Sequence, residues 1–315
     1  MKTTVVLSTY NGEKFIIEQL ESIRIQSLKP DEVLIFDDCS NDNTVSIIEE
    51  FISEYSLKDW HLYKNSQNLG WRCNFYQGLK KAKGDFIFTC DQDDVWNLQK
   101  IEKMVDKLEN DSQILLLASN YIPLYMEGGV KVSSPKSLKN KNDYSIKKID
   151  SPKEIFYVMR PGCTYAFRKE LLKYFFEVFD VQDGHDALLW RIAGLMGGLY
   201  VYSYPSIQFR RHSNNATGRE MKSPSSRVRD IRYYSDLIRR LEIFYENHPE
   251  KVIEENLRNL KKYLNWIELR MCILQSRSNV KKILYWLRLS KFINNYYSLK
   301  SYFSDFYFLI LSRGV

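Results

Sequence analysis

The sequence predicts an α/β fold: a mostly parallel sheet covered by helices on both faces, followed by a C-terminal helical region. Three observations predict it. Short apolar runs alternate with helical patterns through the first 118 residues, the mark of strand–helix–strand units in a parallel sheet. Acidic groups stand at the carboxyl ends of two of those runs, at Asp37-Asp38 and at residues 91–94, where open α/β sheets bind ligands. Beyond residue 226 the pattern is helical alone, with Ile253, Leu257, Leu260, Leu264, Ile267, Met271 and Leu274 recurring at steps of four and three, a single apolar seam of core packing.

The elements follow in order. Residues 4–8 read as a strand. Residues 12–26 read as a helix with Phe15, Ile16, Leu20 and Ile23 on one face. Residues 32–37 form a second strand, and 43–55 a helix capped by Asp42 or Asn43. A short strand at 61–63, a helix at 71–82, a strand at 85–90, a helix at 97–109 and a strand at 113–118 complete the alternation. Residues 127–150 are polar, lysine-rich and aperiodic, which predicts a mobile loop. Ser151-Pro152 can open a helix. Residues 161–172 read as a turn, a strand and a helix, and 183–198 as a helix ending at glycine. Two short strands are expected at 199–203 and 206–210.

The bulk numbers narrow the function. A chain of 315 residues that is 44% hydrophobic and 27% charged can bury a sizeable core, which excludes general disorder. Five cysteines with no CxxC pair fit a reducing compartment rather than a disulfide framework or zinc site. Met1-Lys2-Thr3-Thr4 runs directly into a strand-like segment, so no signal peptide is expected. No apolar stretch approaches the ~20 residues of a membrane span. The net charge of +7 is uneven: residues 220–315 carry 18 Lys+Arg against 10 Asp+Glu. A near-neutral front and a basic, aromatic-rich back point to two jobs.

Five stretches carry chemistry. In the stretch TCDQDDVW, Asp91, Asp93 and Asp94 follow a buried-looking run. Carboxylates that close repel one another and are costly to desolvate unless a cation stands between them, and Mg²⁺ or Mn²⁺ takes such oxygen ligands together with phosphate. The plainer alternative is a solvated acidic turn capping the next helix. In STYNGEKFI and IFDDCSND, a carboxylate can read the imide N–H of uracil or thymine, and a helix start can meet ribose or phosphate. Alone, Asp37-Asp38 is more often a turn and N-cap. In NLGWRCNF, Gly70 makes a turn before a helix and Arg72 is a candidate for a diphosphate, or the stretch is an ordinary junction. His212 follows Arg210-Arg211, a basic strand end suited to phosphate, and a neutral imidazole can ligate Mn²⁺.

Together these motifs, with GDFIFTCDQDDVW, GHDALLW and RRHSNNATG in order, resemble family 2 glycosyltransferases of GT-A fold, and within them the bacterial rhamnosyltransferase-like subgroup. The resemblance covers about residues 3–215. It implies an inverting transferase using a dTDP- or UDP-linked sugar, Mg²⁺ or Mn²⁺, and a glycan or lipid-linked oligosaccharide acceptor. It implies base contacts from Thr9 and Asp38 with Tyr10 lining the pocket, contact of Asp91 with the ribose or a metal-bound water, metal ligation by Asp93, His212 near the diphosphate or metal, and Asp186 as catalytic base. Without the resemblance, Asp186 reads as a helix cap. Trp96 and His185 are candidates for sugar contacts. Cys39 stands where the family often has glycine, and Ala187-Leu188 where the subgroup often has aromatics.

The expected organisation is residues 1–219 as catalytic domain (1–110 for the nucleotide sugar, 111–219 for the acceptor) and 220–315 as a basic helical region. Residues 279–315 carry six Lys+Arg, one acid and many aromatics, the composition of a helix lying on an anionic membrane. The alternatives are a packed helical hairpin or a homodimer interface. The expected location is cytoplasmic, on the inner face of the membrane. The competing functional class is a non-catalytic nucleotide- or glycan-binding module, which would be expected to lose Asp38, Asp93 or Asp186. A nucleic-acid binder ranks last, because the basic tail lacks a recognised motif.

Overall fold

The computed structural model describes residues 1–126, 141–212, 223–296 and 298–311. The chain forms two compact units. One comprises Met1–Asp150 and Val158–Gly218, the other Ser151–Tyr157 and Arg219–Val315.

The first unit is built on one sheet. Strands β1 (Thr3–Thr9), β2 (Glu32–Asp37), β3 (Trp60–Lys64) and β4 (Phe86–Cys90) pair in parallel, linked by helices α1 (Ile16–Arg24), α2 (Thr44–Glu54) and α3 (Trp71–Lys81). β1, β2 and β4 are buried along almost their whole length, as strands covered on both faces must be. Thr9 lies opposite Asp37, and Leu7 opposite Cys90. The turns after all three strands therefore open at one edge of the sheet. Asp42, one residue before the cap position, satisfies the start of α2 by accepting from the Thr44 N–H.

The remaining strands extend the sheet differently. After β5 (Val95–Trp96) and α4 (Lys100–Asn110) come β6 (Leu116–Tyr125) and β7 (Ile146–Lys148). α5 (Pro152–Phe156) belongs to the second unit. β8 (Tyr165–Arg168), α6 (Leu171–Val178), α7 (His185–Leu195) and β9 (Leu199–Arg211) follow. β8 sits antiparallel between β4 and β6, and β9 runs parallel to β6. β5 and β7 both pair antiparallel with β9.

Three expectations need correction. The two strands expected at 199–203 and 206–210 are one continuous strand. Pro205 falls opposite Asn120, where the register with β6 shifts, so an irregularity absorbs the missing N–H without breaking the strand. The helix expected from 97 begins at Lys100, because Val95 and Trp96 are drawn onto β9. Of the stretch 127–150, residues 127–140 lie outside the described residues. Its end supplies β7, which takes hydrogen-bonding positions on β9 at 200–202.

The second unit is helical: α8 (Pro224–Asn247), α9 (Glu254–Gln275), α10 (Asn279–Arg288), a 3-10 segment (Leu289–Asn295), α11 (Leu299–Phe306) and a π turn (Tyr307–Leu311). Ser223 and Ser226 close a capping box on α8. The buried stripe of α9 is rotated from the expected seam. Leu257, Leu260 and Ile267 are buried, but Ile253 is 42% exposed, and Tyr263, Trp266 and Arg270 take inward places. Partners account for this. Tyr263 stacks on Phe156 of α5 at 4.2 Å, and Arg270 forms a two-bond pair with Asp305 at 2.8 and 3.1 Å.

Candidate active site

The sheet edge carries a cavity of about 370 Å³. It gathers residues from sequence segments more than 200 positions apart. Thr9 and Tyr10 come from the end of β1, Asp38 from the end of β2, and Asp91 and Asp93 from the end of β4. His185 and Asp186 come from the start of α7, and His212 from beyond β9. Eight of the ten sequence-derived candidates thus share one cavity.

The base of the cavity is knitted from short polar side chains. Asp37 is a latch: it accepts from the Thr9 hydroxyl at 2.9 Å and from the Ser40 N–H at 2.8 Å. Asp38, 2% exposed, holds the following loop. It accepts from Asn65 Nδ2 at 2.9 Å and from the N–H groups of Leu69 at 2.7 Å and Gly70 at 2.8 Å. Gly70 has φ +80°, a conformation that costs a side chain dearly. Buried Asn74 ties the loop inward, donating to the Ser8 hydroxyl and the Phe36 carbonyl, both at 2.7 Å.

The acidic turn after β4 is held on both sides. Gln92 clamps the Tyr10 backbone, its oxygen accepting from the N–H at 2.8 Å and its amide donating to the carbonyl at 2.9 Å. Arg210 donates from Nε to the Asp93 carbonyl at 2.8 Å, its backbone N–H meets Asp94 at 2.9 Å, and its guanidinium pairs with Glu18. Burial, with the neighbouring Asp93 and Asp186 carboxylates, pushes Asp91 up to about 7. Desolvation and like-charge repulsion both disfavour the charged form there. His212 Nε2 lies 2.7 Å from Asp93 Oδ2, and its ring packs on Phe15 at 4.9 Å. Carboxylate oxygens and an imidazole facing one cavity are a donor set that fits Mg²⁺ or Mn²⁺.

A second group lies deeper. Ligand atoms of Asp91, Asp94 and Cys163 come within 4.8 Å of one another. Burial raises the Cys163 thiol well above its ordinary value and also raises Asp94. The fully buried Lys100, brought down to about 8 by burial, donates to the Cys163 carbonyl. A protonated thiol beside an ammonium is a poor cage for a hard dication, so the cavity-facing set is the better fit.

The opposite wall is aromatic. Asp186 sits in the first turn of α7, two residues after the cap position at Gly184, and accepts from the Ala187 N–H at 2.7 Å while lining the cavity. His185, 4% exposed, stacks on Phe75 with centroids 3.7 Å apart, and Trp71 meets it edge-on. Burial brings His185 down to about 4, so the ring is neutral at physiological pH. Neither ring nitrogen has a hydrogen-bond partner among the described residues. A Cβ on Gly162 would stand 2.8 Å from His185 Nε2, so only glycine fits against the ring.

Two candidates are not brought to the cavity. Arg72 is exposed on α3, its guanidinium over the Trp71 ring at 4.5 Å. Among the described residues the cavity is lined instead by Arg211, 8% exposed, whose Nε has no hydrogen-bond partner among those residues. Trp96, 3% exposed, belongs to the core beneath the site, where Lys100 Nζ lies 3.7 Å over its ring. Sequence reasoning missed Gln92, Trp71 and Phe75 as cavity residues, and placed Arg211 only as half of a basic pair suited to phosphate. The basic pair before His212 was a usable signal for Arg211, whereas nothing in the sequence marked Gln92 as a clamp.

The chain resembles known proteins. The family model described as glycosyl transferase family 2 matches residues 4–176. The chain is 31% identical over 224 residues to the dTDP-rhamnosyl transferase RfbG of Shigella flexneri, covering 67% of this chain and 73% of that protein. It is 32% identical over 176 residues to the poly(ribitol-phosphate) beta-N-acetylglucosaminyltransferase TarS of Staphylococcus aureus, 55% of this chain and 28% of that one. Among solved structures, S. aureus TarS 1–349 in complex with UDP-GlcNAc superposes with a TM-score of 0.61 at 20% identity, over 94% of this chain and 89% of that one. The mannosyltransferase PcManGT from Pyrobaculum calidifontis, in complex with GDP-Man and Mn²⁺, superposes with a TM-score of 0.52 at 18% identity, over 98% and 85%. These likenesses establish the GT-A fold. With the family match running through the strands that carry the acidic clusters, and a relative 31% identical over two thirds of the chain, this protein belongs to glycosyl transferase family 2.

Proposed function

We propose that this glycosyltransferase moves a sugar, with inversion, from dTDP-L-rhamnose or a UDP-hexose to a hydroxyl of a growing, lipid-linked cell-surface polysaccharide. In this reading it works as a cytoplasmic enzyme peripheral to the inner face of the membrane, as a monomer or homodimer. The observation that carries the reading is the convergence of Asp38, Asp91, Asp93, Asp186, Arg211 and His212 on one cavity. The name of the Shigella relative supports a dTDP-linked donor, and the TarS complex supports a UDP-linked one.

The roles follow from chemistry. A carboxylate offers about four lone-pair sites. Asp38 has three occupied, leaving one for the imide N–H of uracil or thymine. Thr9 and Tyr10 flank the base, and Asp91 faces the ribose. Asp93 and His212 would hold Mg²⁺ or Mn²⁺, which when bound supplies Lewis-acid neutralisation of the departing diphosphate. Arg211 adds a fixed positive charge beside that diphosphate. Asp186 accepts the proton of the acceptor hydroxyl as it attacks, and a single displacement inverts the anomeric carbon. Neutral His185 offers a hydrogen bond to a sugar hydroxyl.

The test is a panel of nucleotide sugars with Mn²⁺, an acceptor extract and nucleotide diphosphate release as readout. Release from a dTDP- or UDP-linked sugar is expected. Tight UDP binding with no release from any donor would favour the non-catalytic module instead.

A further inference from the structure

The second unit shows an inverted amphipathic helix on its surface. In α10, Val280, Ile283, Leu284 and Leu287 are 68%, 40%, 52% and 51% exposed. Their spacing of three, four and seven puts them on one face. The opposite face looks inward. Lys282, Tyr285 and Trp286 are half-buried and Leu289 is fully buried, with Trp286 stacked on Tyr302 at 4.7 Å. An ordinary surface helix turns its polar face to water. This one turns an apolar stripe outward and flanks it with exposed Lys281 and Arg288.

Charge identifies the occupant. Lys281, Arg288, Lys291 and Lys300 are all exposed. The single acid of residues 279–315, Asp305, is fully buried. It is held inside by Arg270 and by the Tyr296 hydroxyl at 2.6 Å. The outward surface of this segment is therefore apolar and cationic, with no anionic counterpart. A second copy docked face to face would set those cations against their own kind. An anionic bilayer answers both features: its headgroups meet the cations and its acyl boundary takes the apolar stripe.

We propose that α10 is a lipid-docking surface that seats this unit on an anionic membrane, with Val280, Ile283, Leu284 and Leu287 entering the interface and Lys281 and Arg288 pairing with headgroups. The assignment does not depend on which sugar is transferred, so it is tested without activity. Full-length protein is mixed with phosphatidylglycerol or phosphatidylcholine vesicles at low and high salt, and the bound fraction is measured by co-flotation. Wild type should float with phosphatidylglycerol at low salt and be released by high salt. Lys281→Gln with Arg288→Gln should weaken partition by roughly fivefold per charge. Leu284→Glu with Leu287→Glu, at positions already exposed, should abolish it. UDP affinity and the melting curve should be unchanged in both variants. Wild type left in the non-floating fraction at low salt overturns the proposal, and so does undiminished binding by the Glu pair. Self-association that the Glu pair disperses, without vesicle binding, would instead assign the face to a second copy of the chain.

Discussion

Asp38→Asn separates two jobs of one carboxylate. Asp38 accepts three hydrogen bonds from the 65–70 loop. The asparagine oxygen can retain Asn65 and Leu69, but its NH₂ then faces the Gly70 N–H, donor against donor. A hydrogen bond to a charged group contributes about 1.5–3 kcal/mol, and the Gly70 N–H keeps its second acceptor, Asn68 Oδ1 at 3.1 Å, so no orphaned donor adds to that loss. A net loss of about 1.5–3 kcal/mol follows, which corresponds to a fall in Tm of roughly 3–12 °C for a domain of this size. The loosened loop carries Asn68, Gly70 and Trp71 of the cavity lining, so UDP affinity should fall more than tenfold. Thermal melting and calorimetry with UDP measure both. An Asn variant that melts with wild type would refute the idea that this carboxylate holds the loop, even if nucleotide affinity were lost.

Asp186→Asn preserves the helix-start position while removing the proton acceptor. UDP affinity should survive and transfer should drop by about 10²–10⁴; transfer near the wild-type rate would assign the base elsewhere. Cys39 has φ +66°, so Cys39→Gly should stabilise the fold by about 0.5–1 kcal/mol in urea titration, and a destabilised variant would show that the thiol packing outweighs the strain. Burial lowers His185 from its ordinary 6.5 to about 4. Between those values the unfolded chain takes up a proton that the folded chain refuses, so this residue's contribution falls as pH drops, by up to about 1.4 kcal/mol per unit. His185→Phe, which keeps a ring on Phe75, should gain stability relative to wild type from pH 6.5 to 4.5, and parallel urea midpoints across that range would contradict this.

What the sequence revealed and what it hid have physical causes. Strand ends were legible because apolar runs stop abruptly at carboxylates, as in β2 before Asp38 and β4 before Asp91. The parallel register then brings those ends together. Local pattern cannot say which side of a turn faces inward. Trp96 stands two residues after Asp94, yet its pairing opposite Ile207 of β9 turns it into the core. Arg72 and Trp71 are neighbours, and the helix presents the second, not the first, to the cavity. Lys100 is fully buried because Trp96 and the Cys163 carbonyl receive it, contacts set 63 positions apart in the chain for the latter. The seam of α9 shifted for the same reason: Phe156 and Asp305 supply partners from outside the helix.

The central claim is that the acidic turn after β4 works through a divalent cation on a sugar diphosphate. The direct measurement is nucleotide diphosphate release from the active donor by wild type and Asp93→Ala, in EDTA and after adding excess Mn²⁺. The account predicts that EDTA abolishes release by wild type, that Mn²⁺ restores it, and that Asp93→Ala stays inactive in both while keeping its melting curve. Full turnover by wild type in EDTA would contradict it.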